Sequence, residues 1–127
     1  MRARYVNEVM GFERSDDIKV SLQLGKRHMI TKWLDTIGVE NYTINPDWTI
    51  DVKGDVDLSN KNLIEFPDYI KFNHVSGQFD CAGNQLTSLK GCPASVGYSF
   101  YCHSNPGKFT KEDVLKVCKV NPNNITV

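Results

Sequence analysis

The stretch that decides the fold is GDVDLSNKNL at residues 54–63, set against GQFDCAGNQL at residues 77–86. With an offset of 23 positions, Gly54 meets Gly77, Val56 meets Phe79, Asp57 meets Asp80, Leu58 meets Cys81 and Leu63 meets Leu86. A further copy, YSFYCHSN, begins at Tyr98, and a weaker one, NNITV, begins at Asn123. Two apolar ladders result: Val56/Phe79/Phe100/Ile125 and Leu58/Cys81/Cys102/Val127. Alternation with period two marks a short strand whose alternate residues turn inward. A unit this short cannot bury its own apolar edge, so successive units must lie side by side and share one interior.

Asn84 and Asn105 each stand three residues after the inward cysteine, where a leucine-rich repeat carries its Asn. There the amide can satisfy turn backbone groups of the neighbouring unit. Lys61 takes that place in the first copy, so the first unit is expected to be less regular. After the turn, Leu63 and Phe66, then Leu86 and Leu89, return apolar side chains to the interior. Pro67 and the Gly91-Cys92-Pro93 run close the units, and the return paths end at Val75 and Val96. The cysteines, Cys81, Cys92, Cys102 and Cys118, form no CxxC and offer no zinc-ribbon spacing. They read as reduced core residues.

The flanks read as caps. Thr110 with Asp113 three residues on resembles a capping box, with Phe109 and Val114 at the hydrophobic-staple positions. That predicts a helix over 111–118. Asn121-Pro122 then turns the chain into a last strand. Upstream, Met29, Ile30, Trp33, Leu34 and Ile37 recur at helical spacing and Gly38 follows as a stop. That predicts a helix over 26–37. Ser15-Asp16-Asp17 signals a shorter helix over 16–21. Tyr42–Ile44 and Trp48–Val52 alternate like strands around an Asn45-Pro46-Asp47 turn.

Composition narrows the function classes. The chain has 127 residues, with 15 Lys+Arg balanced by 15 Asp+Glu. That is the size of one domain, and its neutrality argues against a dedicated nucleic-acid or membrane-surface binder. Charge is unevenly spread: residues 41–80 are acidic and residues 81–127 basic. No apolar run approaches the roughly 20 residues of a membrane span. The start, MRARYVNEVM, lacks the apolar region of a secretory signal. A soluble cytoplasmic protein is expected.

The segments YTIN at 42–45, TIDV at 49–52, GDVDLSN at 54–60, GQFDC at 77–81 and LTSLKGCP at 86–93 resemble small leucine-rich-repeat-like proteins of tailed bacteriophages. Those proteins repeat units of the form FDCxxNxLTSLxGCP. The leader GFER at 11–14 and the ending FTKEDV at 109–114 are similar to theirs, so the resemblance spans most of the chain. This chain is shorter than the pattern, and Gly107 replaces the Leu expected in the third unit. The resemblance and the repeat together imply an α+β fold. Its body would be a short leucine-rich-repeat-like β-solenoid of three to four coils, with an N-terminal helical cap and a C-terminal helix. Residues 1–41 would form the cap and residues 42–127 the repeat domain.

In such a fold the residues between the inward pairs line one outer surface. One column is Asp57, Asp80, Tyr101 and Thr126. A second is Asp55, Gln78, Ser99 and Asn124, and a third is Ser59, Ala82 and His103. The candidate protein-binding residues are Asp55, Asp57, Gln78, Asp80, Ser99, Tyr101 and His103. Exposed faces on rigid repeats serve as binding platforms, and aromatic residues dominate interface hot spots. His103 follows Cys102 in a strand, so the two face opposite ways and do not form a thiol–imidazole pair. No GxSxG, P-loop or HExxH is present. No catalytic residue, metal ligand or cofactor is assigned. The expected function is a non-catalytic protein–protein interaction module. The resemblance implies a phage-encoded one acting on a host protein, for host takeover or inhibition of a host defence system. The alternative is an accessory nucleic-acid binder using Arg2, Arg4, Arg14, Lys26, Arg27 and Lys32, with Tyr5 and Phe12 nearby.

Overall fold

The structure, a computed structural model, describes the backbone of residues 15–127 and the side chains of residues 21–127. The readings placed on residues 1–14, including the basic residues there and the GFER leader, lie outside the described residues.

The repeat strands pair as the ladder requires. We number the strands β1 (Tyr42–Ile44), β2 (Ile50–Val52), β3 (Val56–Asp57), β4 (Phe72–Val75), β5 (Phe79–Asp80), β6 (Ser95–Val96), β7 (Phe100–Tyr101) and β8 (Ile125–Thr126). The helices are α1 (Ser15–Ile37) and α2 (Lys111–Val117), and a 3-10 turn at Pro122–Asn124 leads into β8. Strands β3, β5, β7 and β8 form one sheet, in that order and all parallel. Val56, Phe79, Phe100 and Ile125 are partners in register across it. All four are buried, as are Leu58, Cys81 and Cys102, whereas Val127, expected as the last inward rung, is 45% exposed.

The return paths, expected as loops, are themselves strands. β1, β2, β4 and β6 form a second four-stranded sheet. Its β1–β2 pair is an antiparallel hairpin and its β2–β4–β6 pairs are parallel, so this sheet is mixed. This overturns the leucine-rich-repeat-like β-solenoid with terminal caps. The described residues form a mixed α/β fold of two helices and two four-stranded sheets, one mixed and one all parallel. The physical reason is that Phe72, Val75 and Val96 bury their side chains from the far wall of the interior. Their backbone groups then need partners, and the neighbouring strands supply them.

Between the sheets the core is aromatic. Phe72 and Phe79 meet edge-on at 5.5 Å between ring centroids, and Phe79 and Phe100 lie 5.4 Å apart. Phe66 closes the cluster, meeting Phe72 at 6.4 Å and Trp33 of α1 at 6.3 Å. The corners between sheets are tight. Gly77 donates to the Gly54 carbonyl at 2.8 Å, and Gly97 to that of Val75 at 2.8 Å. A Cβ at Gly77 would sit 2.7 Å from the Gly54 oxygen, and one at Gly97 2.3 Å from the Ser76 oxygen. Glycine is what lets successive corners stack this closely. Gly107, the departure from the expected Leu, has a comparable reason: a Cβ there would lie 2.6 Å from the Phe109 ring, which occupies the space.

One helix replaces the two expected upstream. α1 runs unbroken through Gly25 for 23 residues and stops where Gly38 adopts φ +94°. The amides of Gly38 and Val39 both donate to the Leu34 carbonyl, at 3.0 and 2.9 Å, and Val39 is buried beneath. Ile30 and Leu34 are fully buried against the body. Tyr42 of β1 donates its hydroxyl to Asp35 of α1 at 2.8 Å. Burial, then the Asp35 carboxylate, raises the Tyr42 hydroxyl above the ordinary tyrosine range. Downstream, α2 has the capping box in full. Asp113 N donates to Thr110 Oγ1 at 3.1 Å, and Thr110 N donates to Asp113 Oδ2 at 2.9 Å. Among the described residues, no helix is long and apolar enough to cross a membrane.

Candidate binding face

The outer face of the parallel sheet is built by residues that alternate with the ladder. Asp57 partners Asp80, Asp80 partners Tyr101, and Tyr101 partners Thr126. Asp57 and Thr126 are exposed, while Asp80 and Tyr101 are half-buried. Two carboxylates directly opposed across a parallel pair repel. Each is held by its own turn. Asp57 Oδ1 accepts from the Ser59 amide at 3.0 Å and the Ser59 hydroxyl at 2.6 Å. Asp80 Oδ1 accepts from the Ala82 amide at 2.9 Å. These are Asx turns, and Asp47 makes the same one with Thr49. The Ser59 hydrogen bonds hold the Asp57 carboxyl below its ordinary range, against a smaller opposing effect of burial.

The neighbouring column is tied together through backbone. Asp55 Oδ1 accepts from the Gln78 amide at 2.8 Å, and the Ser99 carbonyl accepts from the Phe79 amide at 2.8 Å. Asp55 is exposed, and Gln78 and Ser99 are half-buried. The third column departs from expectation at Ala82, which is buried. Its methyl is too small to stand clear of the flanking Ser59 and His103 positions. His103 is exposed, with Nδ1 3.2 Å from the Ser104 hydroxyl. The structure therefore brings Asp55, Asp57, Gln78, Asp80, Ser99 and Tyr101 onto one face, with His103 at its margin.

Buried asparagines fix this face from behind. Asn84 Oδ1 accepts from the amides of Lys61 and Leu63 at 2.9 and 3.0 Å. Its Nδ2 donates to the carbonyls of Leu58 and Cys81 at 2.8 and 3.0 Å. Asn105 accepts from Leu86 N at 3.0 Å and donates to Cys81 O and Cys102 O, both at 3.1 Å. In the first unit, where Lys61 replaces this Asn, Asn60 adopts φ +53°, as Gly83 and Ser104 do at the same post with +69° and +59°, and Asn62 adds a positive φ of +57°. The first turn thus keeps the left-handed post of the others and departs from them at Asn62, one residue after Lys61.

A second polar network went unseen in the sequence. On the mixed sheet, Asp51 of β2 accepts from Asn73 Nδ2 at 2.9 Å and from the His74 amide at 3.1 Å. Burial raises the Asp51 carboxyl, but the hydrogen bonds from Asn73, the His74 amide and Asn45 outweigh it and leave the group below its ordinary range. His74 Nδ1 in turn meets the Ser95 hydroxyl of β6 at 2.5 Å. The order Asp, His, Ser across three strands suggests a hydrolytic triad. The geometry differs, because the carboxylate holds the histidine's backbone amide, whereas a triad carboxylate orients the imidazole. Only the strand register, which no local pattern announces, brings these residues together.

The four cysteines are free and buried. Burial pushes the Cys102 thiol up to about 12 and the Cys118 thiol to about 11, and raises Cys92 well above the ordinary range. Among the described residues, no group of His, Cys, Asp and Glu is arranged to hold a metal ion. Of the basic residues weighed for nucleic acid, Lys26, Arg27 and Lys32 are exposed on α1, and Lys26 stands 5.1 Å over the Trp48 ring.

Comparison of the chain with protein-family models, with curated proteins and with solved structures gave no match.

Proposed function

We propose that the protein is a non-catalytic binding module whose parallel-sheet face docks another protein. The observation that carries this reading is the in-register run Asp57–Asp80–Tyr101 on an asparagine-braced backbone. A partner presenting Lys or Arg opposite the aspartate pair relieves their mutual repulsion and gains steered association. Tyr101 supplies the amphipathic aromatic anchor typical of interface centres. Because Asn84 and Asn105 already hold the backbone behind the face, little ordering entropy need be lost on docking. In line with the sequence resemblance, we place the module in a phage setting, acting in the host cytoplasm on a host protein such as a defence factor.

The test is paired. Tyr101→Ala and Asp80→Lys are expected to melt within a few degrees of the parent, since both side chains point outward. Each is expected to lose the partners that the parent retains from bacterial host lysate. Unchanged retention by both variants would remove the sheet face from consideration.

A further inference from the structure

We infer that a groove along α1, distinct from the sheet face, receives an acidic amphipathic helix of a partner protein. The C-terminal half of α1 is seated on the body through Ile30 and Leu34. Met29, next to Ile30 in the chain, and Leu22, two turns earlier, are not: Leu22 is 68% exposed and Met29 48%. Leu22, Gly25, Met29 and Trp33 follow one another at three- and four-residue steps, which places them along one line of the helix. A Cβ built at Gly25 meets no atom within 4 Å, so the backbone there is open to close approach. The line runs into a cavity of about 420 Å³ walled by Met29, Trp33 and Tyr69, with His28, Lys32 and Thr36 completing it. Trp33 is fixed edge-on against Phe66, so this wall is preformed.

Charge decides the occupant. Lys26, Arg27 and Lys32 are exposed along the same stretch of helix, and among residues 21–34 there is no acidic side chain. A second copy docking through this line would bring two such basic sets together, which costs affinity. A helix carrying Leu-type residues at three- and four-residue steps, flanked by Asp or Glu, meets both features. Its apolar ridge lies along Leu22–Gly25–Met29, one side chain enters the Trp33–Tyr69 cavity, and its carboxylates face Lys26 and Lys32. This inference stands independently of the sheet face, whose residues it does not use.

The full chain is titrated into two fluorescently labelled designed helical peptides. Both carry Leu at the first and fourth heptad positions; one has Glu at the flanking positions and the other Lys. The Glu peptide is expected to bind saturably, with a shift in tryptophan emission, and to weaken as salt rises. Lys32→Glu is expected to weaken it at least tenfold, and Met29→Asp to abolish it. Tyr101→Ala is expected to leave it unchanged. Equal binding of the two peptides, or binding of neither, would overturn the inference. So would preference for short single-stranded DNA over the Glu peptide, or a concentration-dependent dimer in sedimentation that Met29→Asp dissolves. Loss of the Glu peptide in Tyr101→Ala would also overturn it, by moving the contact to the sheet face.

Discussion

Asn84 and Asn105 occupy the same post in successive units and share an acceptor. Both donate Nδ2 to the Cys81 carbonyl, at 3.0 and 3.1 Å. Each amide thus bridges its own turn and the turn before it, and the chain of bridges runs from Leu58 to Cys102. Buried backbone groups at three consecutive turns depend on two side chains.

Replacing Asn84 tests that dependence. Asn84→Ala strands the Lys61 and Leu63 amides and the Leu58 carbonyl, and is expected to cost on the order of 2–4 kcal/mol. Asn84→Asp keeps the acceptor but removes the donor, and aims a carboxylate at the Leu58 and Cys81 carbonyls. It is expected to destabilise more than alanine at neutral pH and to recover part of the loss in acid, where the protonated carboxyl can donate. Urea midpoints of both variants at pH 7 and pH 4.5 decide this. If aspartate and alanine behave alike at both pH values, the donor half of the bridge carries no weight.

Phe79 sits between the two sheets, fully buried and in ring contact with Phe66, Phe72 and Phe100. Phe79→Ala is expected to cost about 3–5 kcal/mol, a large share of the stability of a domain this size. Thermal melts read it directly. Equal midpoints for parent and variant would place Phe79 outside the core.

The ladder was legible because alternation, glycine and asparagine recur in register, so that Val56, Phe79 and Phe100 identify one another. The outer columns followed from the same register. The second sheet was not legible. Its FNHV strand does not alternate, because the β2–β4 pairing shifts register between Ile50 and Val52. Its Ser95–Val96 strand is too short to carry a period. The expectation of repeat loops in place of strands failed there, and the solenoid class failed with it. Two helices, over 16–21 and 26–37, were expected where α1 is one, with Gly25 in the gap between them. A single helical glycine costs only about 1 kcal/mol, and α1 runs through it. Trp48, expected in a strand, instead takes φ +71° in the turn that closes the β1–β2 hairpin. Ala82 shows a limit of the columns themselves: facing outward does not ensure exposure when the side chain is one methyl.

The capping box of α2 predicts a pH signature. Hydrogen bonds from the Thr110 amide and hydroxyl set Asp113 below the ordinary aspartate value of 3.8. A depressed carboxyl stabilises the fold above its unfolded pKa, and that contribution is lost as pH falls through the folded value. Thr110→Ala is expected to cost about 1 kcal/mol at neutral pH. The gap between parent and variant is expected to narrow below about pH 4, where Asp113 becomes protonated in both. A gap that stays constant from pH 7 to pH 2.5 would contradict the box.

The cysteines give a kinetic probe of the whole interior. Cys81, Cys92, Cys102 and Cys118 are all buried, and burial holds Cys102 near 12 and Cys118 near 11. Since only the thiolate attacks, the native protein at pH 8 is expected to react with an aromatic disulfide reagent only through opening. Because Cys81 and Cys102 belong to one ladder and Cys92 and Cys118 close against the same core, opening that exposes one exposes the others. All four thiols are therefore expected to appear in a single slow phase. Mild urea should accelerate it, and Phe79→Ala should quicken it by the same factor that it lowers stability. A rapid phase for one thiol in the native protein would show that its segment opens separately from the ladder.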